Sequence, residues 1–99
     1  MPSWYVIRSY RDRKTQRFSD GERVPHFEGF RRQAEKRLRV LEAAVSLGDL
    51  ARLPGNRLEA LSGDRQGQYS IRINEQWRIC FEWPKGVDGP ENVEIVDYH

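Results

Sequence analysis

The spacing of apolar residues changes once along this chain, near Arg57, and that change limits the folds open to it. Upstream, Phe27, Phe30, Ala34, Leu38, Leu41 and Val45 recur at steps of three and four, which stacks them on one stripe and predicts a helix over 27–45. Arg31, Arg32, Lys36, Arg37 and Arg39 fall mainly off the stripe. Downstream the step is two. Leu58 and Ala60 alternate with Arg57 and Glu59; Tyr69, Ile71 and Ile73 with Ser70, Arg72 and Asn74; Trp77, Ile79, Phe81 and Trp83 with Arg78, Cys80 and Glu82. Three successive strands follow, the last two joined as a hairpin through Asn74-Glu75-Gln76 and the first two through residues 63–67.

The flanks fit around this frame. Residues 4–10, aromatic and β-branched, read as a first strand, and residues 11–20 as a short surface helix ending near Gly21. Ser46 with Asp49 marks one more helical turn, Pro54-Gly55-Asn56 stops it, and a last alternation begins at Val93, Ile95 and Asp97 after a turn-rich loop over 84–90. Strand, helices, then strands is the order of an α+β domain with helices on one face of a mainly antiparallel sheet. Glu59, Ser70, Arg72 and Arg78 then face away from the helices, on a sheet surface left open.

With 99 residues the chain is read as one domain, 1–99, so one unit carries both the core and the chemistry. Its one cysteine, Cys80, excludes an intrachain disulfide, and no Cys/His spacing suggests a metal. The first residues lack the basic-then-apolar order of a secretory signal and no apolar run is long enough to span a bilayer, so a soluble cytoplasmic protein without cofactor or membrane contact is expected. Charge is uneven. Residues 1–40 hold eleven Lys/Arg against five Asp/Glu, and residues 41–99 hold six against ten. A basic half suits a polyanionic partner, although a solvated helix face has the same composition.

On the sheet side, two arginines and the sequence Asp97-Tyr98-His99 supply what metal-free RNA cleavage requires: groups that move protons and guanidiniums that clamp a phosphate. The plainer reading makes Arg72 and Arg78 cross-strand ion-pair partners of Glu59, Glu82 or Glu94. Longer strings decide between them. Gly55-Asn56-Arg57-Leu58-Glu59-Ala60-Leu61-Ser62-Gly63-Asp64-Arg65, Gly67-Gln68-Tyr69-Ser70-Ile71-Arg72-Ile73-Asn74, Trp77-Arg78-Ile79-Cys80-Phe81 and Val93-Glu94-Ile95-Val96-Asp97-Tyr98-His99 together resemble the HigB family of toxins within the RelE superfamily. Ile7-Arg8-Ser9-Tyr10-Arg11-Asp12 fits as well.

That resemblance implies a RelE-like fold and a ribosome-dependent endoribonuclease that cuts messenger RNA in the A site. It also implies a HigA-like helix-turn-helix antitoxin as partner, through which alone operator DNA is met. It makes Asp97, Tyr98, His99, Arg78 and Glu59 the catalytic candidates, puts Arg72, Arg65 and Ser62 at the substrate phosphate, and leaves Arg31, Arg32, Lys36 and Arg37 to grip ribosomal RNA. Some members have histidine at the position of Glu59 and lysine at that of Ser62. Two other readings compete: a ribosome- or partner-binding module whose site has weakened through such changes, and a gyrase inhibitor, an activity known among relatives.

Overall fold

A computed structural model describes residues 7–97. Its helices are α1 (Arg13–Ser19), α2 (Arg31–Ala43) and α3 (Leu47–Ala51), and its strands are β1 (Glu59–Ala60), β2 (Gln68–Arg72), β3 (Trp77–Glu82) and β4 (Glu91–Asp97). The strands form one antiparallel sheet in the order β1-β2-β3-β4, which is the α+β arrangement that the change of period requires.

Each helix begins where a side chain or a turn satisfies its free backbone donors. At α1, Asp12 Oδ1 accepts from the Thr15 N–H at 2.8 Å, and Gly21 at φ +92° ends the segment. At α3, Ser46 Oγ accepts from the Asp49 N–H while Asp49 Oδ2 accepts from the Val45 N–H, a reciprocal cap. No side chain caps α2, which is entered through a 3-10 turn over Pro25–Phe30. The stripe expected over 27–45 is therefore divided between two kinds of helix. Phe27, Phe30, Ala34, Leu38 and Leu41 are all buried, but Val45 is 68% exposed. Val45 corrects the expectation: Ala44 turns extended at ψ 135°, so the chain has left the helix one residue before Val45.

Register fixes which side chains share a face. Ile71, Ile79 and Ile95 form one row across β2, β3 and β4, and with Phe81 and Val93 they pack against Phe18, Phe27 and Leu41 from the helical layer. Glu59, Ser70, Cys80 and Glu94 form a row on the opposite face, and Arg72, Arg78 and Val96 the next. That opposite face is not bare, as the alternation alone suggested. Ser70 and Cys80 are fully buried there, because long arginine and glutamate side chains lie over them.

The N-terminal strand expected over 4–10 has residues 4–6 outside the described part. Within it, Tyr10 makes one parallel bridge to Val93, with the Val93 N–H donating to Ser9 O and the Arg11 N–H to Val93 O. Farther along the same edge of β4, the Ile95 N–H donates to Thr15 Oγ1 at 3.0 Å, and Thr15 is fully buried. A helix side chain thus satisfies an edge donor of β4 that no strand among the described residues meets. Thr15→Val keeps the shape and leaves that buried N–H without an acceptor, so urea unfolding should read a loss of about 1–3 kcal/mol. An unchanged midpoint would mean that another acceptor takes the donor.

Candidate active site

Arg78 is the centre of the polar sheet face. It leaves β3 beside Ser70, its diagonal neighbour on β2, and its Nε donates to Ser70 Oγ at 2.7 Å. Its Nη2 donates to the carbonyl of Arg57 at 2.6 Å and lies 3.2 Å from Glu59 Oε1. The Arg78 side chain is only 11% exposed, against 54% for Glu59. One cation is therefore half sunk in the sheet and held from two sides, while the carboxylate that neutralises it stands in solvent.

An open cleft of about 570 Å³ lies over this point, walled by Arg57, Glu59, Arg72, Arg78, Asn74 and Glu75. Arg72 and Arg78 are direct partners across β2 and β3. Like charges in that relation repel. Glu59 offsets part of the repulsion through Arg78, and Arg72 is in no ion pair among the described residues. The cleft wall carries three guanidiniums, of Arg57, Arg72 and Arg78, against two carboxylates, of Glu59 and Glu75, and that excess of positive charge suits an anion.

The other candidates divide into those beside the cleft and those away from it. Arg65 is away. Its Nη1 donates to Gln68 at 2.9 Å and to Glu94 at 3.3 Å, in a lattice that Arg11 extends to Glu94 and Glu82 and that Asn92 closes onto Glu82. Ser62 is exposed at the head of the 3-10 turn Gly63–Arg65, off the cleft wall. Asp97 pairs in register with Trp77, one position past Val96, which pairs with Arg78, and it accepts from Gln76 Nε2 at 2.9 Å. Tyr98 and His99 lie outside the described residues.

On the helical side, Arg31 is held between Glu28 and Glu35, both at 3.1 Å, and these carboxylates raise its pKa further. Arg37 donates to the buried Asn56, whose amide in turn donates to Leu50 O. Arg32 and Lys36 are exposed and in no ion pair among the described residues. The four cations named from the sequence are thus two structural ones and two that project freely. Cys80 is fully buried, and burial raises its thiol pKa, an effect that the nearby Arg65 only partly opposes, so it is a poor nucleophile.

Two contributors were not foreseen: the Ser70 hydroxyl and the Arg57 carbonyl. The period placed Ser70 on the arginine face, and a small hydroxyl residue diagonal to an arginine was the available signal. Arg57 gave none, since its left-handed conformation at φ 46° is rare for a residue other than glycine.

Comparison with known proteins adds to the geometry. Residues 5–99 match a family described as the RelE-like toxin of the type II toxin–antitoxin system HigB. A 52-residue stretch is 46% identical to Toxin HigB-1 of Vibrio cholerae serotype O1, covering 52% of this chain and 55% of that protein. A 63-residue stretch is 38% identical to Endoribonuclease HigB of Proteus vulgaris, covering 64% of this chain and 65% of that protein. The chain thus spans between about half and two thirds of the length of these curated relatives.

Proposed function

The chain belongs to the HigB family of RelE-like toxins of type II toxin–antitoxin systems, and on that premise we propose that it is an endoribonuclease that cuts messenger RNA on the ribosome. The observation that carries this reading is the pair Arg72 and Arg78, directly opposed across two strands and facing one open cleft. An RNA phosphate complements the excess of positive charge on the cleft wall.

In metal-independent cleavage the ribose 2′-OH gives up its proton and its oxygen attacks the adjacent phosphorus. The bond to the 5′-oxygen breaks, and that oxygen takes up a proton. Arg78, with Arg72, stabilises the charge that grows on the phosphoryl oxygens. His99 and Tyr98, which follow Asp97 directly in the chain, carry the protons, and Asp97 orients them. Glu59 acts as a second base, and its charge is tolerated near RNA because Arg78 balances it. Arg65, committed to Gln68 and Glu94, and Ser62, off the cleft wall, have at most a supporting place at the phosphate. The ribosome holds the substrate, and the projecting Arg32 and Lys36, with Arg31 and Arg37 beside them, meet ribosomal RNA. A HigA-like helix-turn-helix antitoxin neutralises the toxin, and both act in the cytoplasm.

The decisive measurement is a map of transcript 5′ ends after induction from a tight promoter. New ends in phase with codons are expected, and they should disappear from a soluble chain lacking His99. Growth arrest with intact transcripts and damaged DNA would instead mark a gyrase inhibitor, and no arrest at all a binding module.

A further inference from the structure

Arg78 differs from an ordinary cleft cation in what holds it. Its Nε edge is taken by Ser70 Oγ at 2.7 Å and its Nη2 by the Arg57 carbonyl at 2.6 Å, with the Ser70 carbonyl a further 3.5 Å contact. The two acceptors come from different parts of the fold. Ser70 is in the middle of β2, fully buried in the row between Glu59 and Cys80. Arg57 lies in the connection before β1, at φ 46° and ψ 54°, just after the 3-10 turn Pro54–Asn56.

The left-handed Arg57 is costly for a residue with a β-carbon. Its neighbourhood explains how it is maintained. Asn56, fully buried, donates to Leu50 O and accepts from Arg37, which fixes the turn from both sides. The Arg57 N–H closes the turn on Pro54 O at 3.1 Å. A turn anchored in this way presents the Arg57 carbonyl to Arg78 from the connection before β1, while Ser70 presents its hydroxyl from β2.

We infer that Ser70 and the Arg57 carbonyl are the positioning device of the active site, fixing the Arg78 guanidinium in one plane toward the cleft. The inference rests on the nuclease reading and extends it to groups that never touch the substrate. A guanidinium restrained on two edges loses little rotational freedom when a phosphate arrives, and its charge is already oriented for the transition state. Ser70 acts through Arg78, so its removal should slow the chemical step far more than it weakens substrate binding.

Ser70→Ala and Ser70→Thr, made in the full chain, provide the test. On messenger RNA in programmed ribosomes, Ser70→Ala should lower kcat about ten- to a hundredfold with KM changed less than about threefold. Ser70→Thr, which keeps the acceptor oxygen, should recover most of that loss. In an Arg78→Ala background the further change Ser70→Ala should do nothing, because the group it positions is gone. Equal losses in both backgrounds, or no loss in either, would overturn the inference. A second arm needs no catalysis: the Arg78 Nε–H resonance should be sharp and protected in wild type and in Ser70→Thr, and broadened in Ser70→Ala. If wild type cuts no RNA, the nuclease reading fails, and the resonance alone then decides whether Ser70 holds Arg78: protection lost only in Ser70→Ala supports it, protection unchanged sinks it.

Discussion

Arg78→Ala is expected to leave a folded protein that still associates with ribosomes and cuts messenger RNA about a hundred- to a thousandfold more slowly, the usual effect of losing one fixed donor to a developing oxyanion. The reasoning is geometric. Arg78 is 11% exposed, and Glu59 and two acceptors hold it in place at the cleft. Arg72 opposes it across the strands but has no comparable anchoring among the described residues, so Arg72→Ala should cost less and chiefly through substrate affinity. Arg78→Lys should recover little, since one ammonium cannot reach Ser70 Oγ, the Arg57 carbonyl and a phosphate in one plane. Single-turnover cleavage on purified ribosomes, with ribosome cosedimentation as the binding control, separates these outcomes. Cleavage by Arg78→Ala within a few fold of wild type would remove this cleft from the chemistry.

The largest loss of stability is expected at Phe27. It is 1% exposed and packs edge-on against Phe18 at 5.4 Å and Trp77 at 6.0 Å, with Phe30 at 5.8 Å. Phe27→Ala should destabilise the fold by about 3–5 kcal/mol, from the lost burial and from the cavity left behind. The site resists collapse because Phe27 sits in the 3-10 turn Pro25–Phe30, closed by its N–H donating to Val24 O at 2.9 Å, while Trp77 is fixed by its strand. For a domain this small that is a large fraction of the total of about 5–15 kcal/mol. Denaturant unfolding measures it directly. A shift under about 1 kcal/mol would mean that Phe30, stacked on Trp77 at 4.5 Å, closes the gap. At low temperature the folded fraction should keep its cleavage activity, since Phe27 lies on the face away from Arg78.

These expectations draw on the sequence and the structure in unequal parts. The stripe from Phe27 to Leu41 and the alternation over β2 and β3 were legible because burial on one face imposes a period, and both are packed as that period demands. Val45 was misread since periodicity does not record where a backbone turns, and nothing local except Ser46 marks the exit from α2. On the polar face, the ion pair of Arg78 with Glu59 was among the pairings that alternation allows. The commitment of Arg65 to Glu94 was not, because those residues are far apart in sequence and meet only through the order of the strands. The burial of Ser70 was hidden for a related reason: alternation tells which way a side chain points and not what covers it. The positive φ of Arg57 depends on a buried asparagine and an arginine from α2, a tertiary arrangement that no short window contains.

The bridge between Tyr10 and Val93 has a consequence for synthesis. Tyr10 and its neighbours are stitched to β4, and Thr15 closes the same edge at Ile95, so neither contact can form until β4 has emerged from the exit tunnel. Until then β3 lacks its outer neighbour and the layer around Ile79 stays half wet. This edge of the sheet therefore closes only once β4 is available, later than the helices and the strands β1 to β3 that precede it in the chain.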